Sequence, residues 1–239
     1  MTLMVFFGCV FIAFGPSMAI FVFTVMKHPL RIILLVIGAF FWLLSLLFSA
    51  LLWLAVVPLK QELAFSLVFS VIFQEAFRFA LFKLLNKAES GLDEALTDEE
   101  KHSISGHKLP YVSGFGFGLM YGLFSIVNVL SSSIGPGNVG KSEHFFLISA
   151  FLTNCFILLH LFWNIIAFHA LKHNSYYKAF LVLLCHMFTS CLSLLNLQQN
   201  TSFVAVLIDH VVLVVVALWA FFTVGGSFRN VKTSFSCQS

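Results

Sequence analysis

Gln74, Glu75 and Arg78 lie within five residues of one another in a long apolar stretch, and His160 and His186 lie singly in two others. A carboxylate and two imidazoles are a donor set that can hold a metal ion and activate water, as in metalloproteases. The same groups can line a hydrated cavity that gates or binds something. They can also form an interhelical hydrogen-bond network that holds a bundle together. On a helix Glu75 and Arg78 are i,i+3 and Gln74 and Arg78 are i,i+4, so the three share a face. Pairing matters there, because an unpaired charge at mid-membrane costs about 2.5–3.5 kcal/mol on insertion scales.

These residues sit in a chain of 239 residues that is 60% hydrophobic and only 10% charged. Its apolar residues come in seven blocks of about 20, the length an α-helix needs to cross a bilayer core. The sequence therefore predicts an all-α, polytopic membrane protein, a single seven-helix domain over residues 1–239. The spans fall at about 5–26, 32–57, 63–84, 111–130, 145–168, 179–197 and 203–224. The first is no cleaved signal: it lacks a basic n-region and has full span length, with a kink expected at Pro16. Counted from the same membrane face, Glu75, His160 and His186 lie nine, eight and seven residues deep. At about 1.5 Å per residue that is a common depth of roughly 10–14 Å, so one cluster is possible if the three helices are neighbours.

Loop charge sets the orientation. Loops one, three and five and the C-terminal tail carry ten of the 13 basic residues, loops two, four and six carry Lys60 and Lys141, and Arg78 is inside a span. Ten against two places the N-terminus on the lumenal or extracellular side and the C-terminus in the cytosol. The sequon Asn200-Thr201-Ser202 then falls on the lumenal side, a glycosylation candidate close to two membrane ends. The acidic connector after Asn86 reads as solvated and partly helical, and Gly135-Pro136-Gly137 as a tight turn.

Gly114, Gly118 and Gly122 recur at i, i+4 and i+8 and make a groove without side chains along one helix face. It suits either another helix of the same bundle or a helix of another membrane protein. Asn128, Asn154 and Asn164 read as interhelical hydrogen-bonders, Asp209 and His210 as residues reaching the headgroups, and His169 and His173 as partly exposed at a span end. The five cysteines form no CxxC pair, so neither a zinc knuckle nor a disulfide framework is indicated; metal and cofactor are both expected to be absent. A net charge of +3 dispersed over the chain gives no support to nucleic-acid binding. Membrane lipid is the one partner the composition itself demands.

The order of motifs resembles the anterior-pharynx-defective (Aph) subunit of gamma-secretase along essentially the whole chain. The resemblance is carried by Phe6-Phe7-Gly8-Cys9, Phe14-Gly15-Pro16, Pro29-Leu30-Arg31 and Gly38-Ala39-Phe40-Phe41-Trp42-Leu43. It continues through Gln74-Glu75-Ala76-Phe77-Arg78-Phe79, the stripe from Tyr111 to Gly122, Leu158-Leu159-His160-Leu161-Phe162-Trp163, His186 and Gly225-Gly226-Ser227. It implies seven spans with a lumenal N-terminus, and a non-catalytic but essential scaffold. Such a subunit assembles first with nicastrin, then holds presenilin, whose aspartates cut the substrate, and the presenilin-enhancer subunit completes the complex. Implied substrates of the complex are Notch-type receptors and amyloid-precursor-type proteins, in endoplasmic reticulum, Golgi, endosomal and plasma membranes. The resemblance assigns Gly114, Gly118 and Gly122 to packing and assembly, and His160 and His186 to stability and partner interaction. Asn164 stands where the family commonly has a small residue, and His169 where it has an acidic one.

A second resemblance supports an enzyme alternative. Gln74-Glu75-Ala76-Phe77-Arg78, Phe156 to His160 and His186 to Ser190 look like degenerate forms of the motifs of CAAX-type intramembrane proteases. Gln74 replaces the first glutamate of that pattern and Ser190 a common asparagine. A lone Glu75 tied to Arg78 is a poor general base, because the arginine favours its charged form.

Overall fold

Hydrophobic side chains on every side of a helix leave it no stable place in water, and the described residues of this molecule contain seven long helices of that kind. The computed structural model describes residues 3–56, 63–92, 97–134, 144–194 and 202–227. Regular structure among the described residues is helical throughout: α1 (Leu3–Ile20), α2 (Pro29–Ala55), α3 (Leu63–Leu92), α4 (Asp98–Ile104), α5 (Lys108–Ile134), α6 (Phe145–Lys172), α7 (Tyr176–Ser193) and α8 (Ser202–Thr223). All but the short α4 are long and apolar enough to cross a membrane, seven candidate spans among the described residues. Asn200, Cys237 and Gly135-Pro136-Gly137 lie outside the described residues. The other four cysteines are free.

Several helix ends lie a few residues from the sequence reading, and two of them show why. Helix α3 continues to Leu92, well beyond the expected end at Leu84, because Lys83, Lys87 and Glu89 are good helix formers once the chain is in water. Helix α5 starts at Lys108 rather than Tyr111, with Pro110 in its first turn, where a proline removes no intrahelical bond. Helix α1 runs through Pro16, and the departure from α-helical bonding comes after it, in a π-helical turn at Phe21–Val25. Pro29 opens α2. Arg31 then ties this end together: its Nε donates to the Ser103 carbonyl at 2.9 Å and its Nη1 to the Thr24 carbonyl at 2.6 Å. The acidic connector contains α4, capped by a reciprocal pair in which Thr97 Oγ1 accepts from the Glu100 N–H and the Glu100 carboxylate from the Thr97 N–H.

Helix α6 is the axis of the bundle. It packs against α1, α3, α5, α7 and α8, and buries Phe156, Ile157, Leu159, Leu161, Trp163 and Ile166 completely or nearly so. The outer helices expose Phe11, Val36, Phe40, Phe188, Val211 and Val214, large apolar groups that suit acyl chains as solvent and not water. Helices α2 and α5 cross at bare backbone. A Cβ on Gly38 would run into the Ser113 carbonyl, and one on Gly116 into that of Leu35. Neither glycine belongs to the i, i+4, i+8 series: Gly116 sits between two of its members on another face of α5, and Gly38 lies in an apolar run of α2.

Candidate functional site

The cluster expected from equal depth is assembled. Helix α3 supplies Gln74, Glu75 and Arg78, α6 supplies His160 and Asn164, and α7 supplies His186. Arg78, His160, Asn164 and His186 are buried, and Glu75 retains 13% of its side-chain exposure. Arg78 Nε donates to both Glu75 oxygens, at 3.2 and 3.1 Å. His186 Nδ1 donates to Glu75 Oε1 at 2.7 Å. On its other edge Arg78 Nη1 donates to the His160 carbonyl at 3.2 Å and to Asn164 Oδ1 at 3.4 Å, and Nη2 donates to His160 Nδ1 at 3.0 Å. The guanidinium also lies over the Phe117 ring, 4.9 Å from its centroid, so α5 closes the fourth side.

The directions of these bonds fix the imidazoles. Arginine has no acceptor, so His160 Nδ1 accepts and its proton is on Nε2. A carboxylate has no donor, so His186 carries its proton on Nδ1. Neither Nε2 has a hydrogen-bond partner among the described residues. The rings meet edge to face with centroids 4.9 Å apart, walled by Trp163, whose ring centre is 4.5 Å from that of His186.

Asn164 is the residue the sequence undervalued. Its amide Nδ2 donates to the Pro110 carbonyl at 2.7 Å and to Ser113 Oγ at 3.1 Å, while its Oδ1 takes the Arg78 bond. It thus joins the ion pair on α3 to the start of α5. The pointer was its place one turn after His160 on a buried helix face. Gln74 behaves differently from its neighbours. Its Nε2 donates to Ser70 Oγ at 3.1 Å, its Oε1 has no partner, and it faces a cavity of about 430 Å³ with Ser66, Ser190 and Tyr121.

Two expectations fail. Asp209 does not reach the headgroups: it is fully buried against α6, where Cys155 Sγ donates to its carbonyl at 3.3 Å. Both carboxyl oxygens lack a hydrogen-bond partner among the described residues. Distance from a span end gives depth but not the direction in which a side chain points. His210, half-buried, lies beside Asp209 with Nδ1 donating to the Val206 carbonyl one turn nearer the start of α8, at 2.8 Å. Asn154 makes no interhelical bond through Oδ1, which is buried without a partner.

The glycine stripe packs on α6 of the same chain. A Cβ on Gly114 would strike Asn164, one on Gly118 would lie 2.5 Å from the Ile157 carbonyl oxygen, and one on Gly122 would meet Ile157 Cδ1 at 2.5 Å. The stripe therefore lets α5 lie directly against the face of α6 that carries Ile157, His160 and Asn164.

The site gives little scope for hydrolytic chemistry. Glu75 accepts from Arg78 on both oxygens and from His186 on one, which ties most of its acceptor positions to the bundle, and Arg78 fills one imidazole nitrogen of His160. Among the described residues, no three His, Cys, Asp or Glu side chains are arranged to hold a metal ion.

A helical membrane protein with a buried, mutually neutralising ion network between its spans is the class that fold and site define. Residues 4–227 match the family described as Aph-1 protein. The chain is 45% identical to gamma-secretase subunit Aph-1b of Danio rerio, aligned over all of this chain and 95% of that one. It is also 45% identical to gamma-secretase subunit Aph-1 of Drosophila melanogaster over the full length of both. A plant relative, gamma-secretase subunit APH1-like of Arabidopsis thaliana, is 28% identical over 81% of this chain. The chain belongs to the Aph-1 family.

Proposed function

We propose that this protein is the Aph-1 subunit of a gamma-secretase complex, a non-catalytic scaffold for intramembrane proteolysis by a presenilin partner. The similarity to relatives named as gamma-secretase subunits supports membership of the complex. The observation that carries the scaffold reading is the ion network. Its charged groups are spent on one another and tie α3, α5, α6 and α7 into one unit, as a rigid support needs and a reacting centre does not. In this reading Gly114, Gly118 and Gly122 set the α5–α6 spacing on which assembly depends, and Gln74, Glu75, Arg78, His160 and His186 preserve the shape that nicastrin, presenilin and the presenilin-enhancer subunit meet. The basic end of the bundle, where α2 begins and α6 ends, faces the cytosol. The complex acts on Notch-type receptors and amyloid-precursor-type proteins in endoplasmic reticulum, Golgi, endosomal and plasma membranes.

The test is purification of the tagged chain in a mild detergent, with mass spectrometry of whatever accompanies it in stoichiometric amount. Presenilin, nicastrin and the presenilin-enhancer subunit together are the expected result. A chain that purifies alone and hydrolyses membrane peptides, losing that activity with Glu75→Ala, would overturn the proposal and favour a CAAX-type protease.

A further inference from the structure

The basic end of the bundle holds a cavity of about 460 Å³ that none of the side chains of Glu75, Arg78, His160, Asn164 or His186 lines. Its walls are the final turns of α3, α6 and α8 and the start of α5. The floor is apolar, made by Phe82, Leu109, Ile165, Phe168 and Val224. The rim is polar, made by Asn86, Glu89, His107, His169 and Lys172. Helix α8 ends here in a left-handed turn at Gly225, φ 85°, with the Gly226 N–H returning to the Phe221 carbonyl at 2.9 Å, so its chain leaves the wall sharply.

The rim has unused binding capacity. Lys172 Nζ and Glu89 Oε2 are 3.4 Å apart, and their side chains are 59% and 32% exposed. An ammonium has three donors and a carboxylate several acceptor positions, so this one long contact leaves most of both free. His169 lines the rim beside them, and its Nδ1 has no hydrogen-bond partner among the described residues. The volume is that of a small-molecule site, and its polarity is ordered along the bundle axis, apolar toward the membrane interior and charged where the spans end.

A phospholipid has the same order, and the rim also selects its charge. One lysine and one glutamate cancel, so an anionic headgroup placed on Lys172 would also meet the Glu89 carboxylate. A zwitterion satisfies both. We propose that this cavity binds a phospholipid of the phosphatidylethanolamine class from the leaflet at the basic end, with phosphate on Lys172 and His169, ammonium on Glu89, and the upper acyl segment on Phe82 and Phe168.

The test uses the full chain with whatever subunits co-purify, stripped of lipid in detergent. Native mass spectrometry then follows titration with phosphatidylethanolamine, phosphatidylglycerol and diacylglycerol carrying identical acyl chains, and with free phosphoethanolamine. One equivalent of phosphatidylethanolamine should bind about tenfold more tightly than either other lipid, the scale of one charge-assisted contact, and phosphoethanolamine alone should not bind measurably. Lys172→Gln should weaken that equivalent by about tenfold. Glu89→Gln should remove the preference over phosphatidylglycerol. The reversed pair, Glu89→Lys with Lys172→Glu, should restore it. Both positions are at exposed helix ends, and unchanged thermal unfolding would verify folding of each variant. Equal binding of the three lipids, indifference to the Glu89 and Lys172 substitutions, or equally tight binding of free phosphoethanolamine would each overturn the proposal.

Discussion

Arg78 is held by a carboxylate, two histidine atoms and an asparagine, so its removal strands several groups at once. In Arg78→Met, Glu75 keeps the His186 bond but loses its cation in a buried setting. Breaking a buried pair from one side costs about 3–5 kcal/mol, whereas replacing both partners with apolar groups is far milder. Arg78→Met should therefore lower thermal stability in detergent steeply, and Glu75→Leu in the same chain should recover much of the loss. Equal instability of single and double variants would mean that the two side chains contribute independently. His186→Ala should be gentler than Arg78→Met, because Arg78 still holds Glu75 after the imidazole has gone. The membership of this cluster was legible before the structure, since polar residues in spans are few and Glu75, His160 and His186 share a depth. Its wiring was not. Depth along a helix says nothing about azimuth, which is why Asn164 proved central, Asp209 turned inward, and Gln74 bonded to Ser70.

At the level of elements, the glycines rank themselves by what a methyl group would strike. Gly38 and Gly116 face backbone carbonyls of the opposite helix, which cannot move without separating α2 and α5. Gly118 faces the Ile157 carbonyl, whereas Gly122 faces the free end of the Ile157 side chain. Alanine at Gly38, Gly116 or Gly118 should cost about 1–3 kcal/mol, the usual scale of overpacking, with Gly122→Ala the mildest of the four. Unfolding temperatures of the four variants check that order. The i, i+4, i+8 pattern pointed to half of this packing; the other half rests on Gly38 and Gly116, which lie outside that series. Helix α4 offers a separate test outside the spans. The Thr97 backbone N–H, then its hydroxyl, hold the Glu100 carboxyl below its ordinary range. A group depressed in the folded state stabilises above its unfolded pKa and loses that contribution as pH falls through the folded value. Amide protection across residues 98–104 should therefore hold at neutral pH and decline in acid, and Thr97→Ala should lower it at neutral pH.

At the scale of the whole molecule, the proposed orientation rests on ten of the 13 basic residues falling in the loops and tail expected on one side of the membrane. Seven spans were legible because apolar runs of bilayer length are hard to mistake; the extension of α3 was missed because hydropathy measures only the apolar part of a helix. With ten basic residues on one side and two on the other, an acceptor site inserted after Gly137 should be glycosylated and one inserted after Ser90 should not. The reverse pattern would invert the bundle, and loss of the native glycan on enzymatic deglycosylation would show that Asn200 itself is used. If the bundle is a scaffold, its buried histidines act on the amount of complex and not on its chemistry. His186→Ala should then lower the recovery of presenilin and nicastrin with this chain by several-fold, while the proteolytic activity per assembled complex stays near that of the parent. Normal recovery with reduced activity per complex would place His186 in the reaction path. The network geometry favours the first result, because the His186 imidazole is aimed at Glu75 of its own bundle and is wholly enclosed by it.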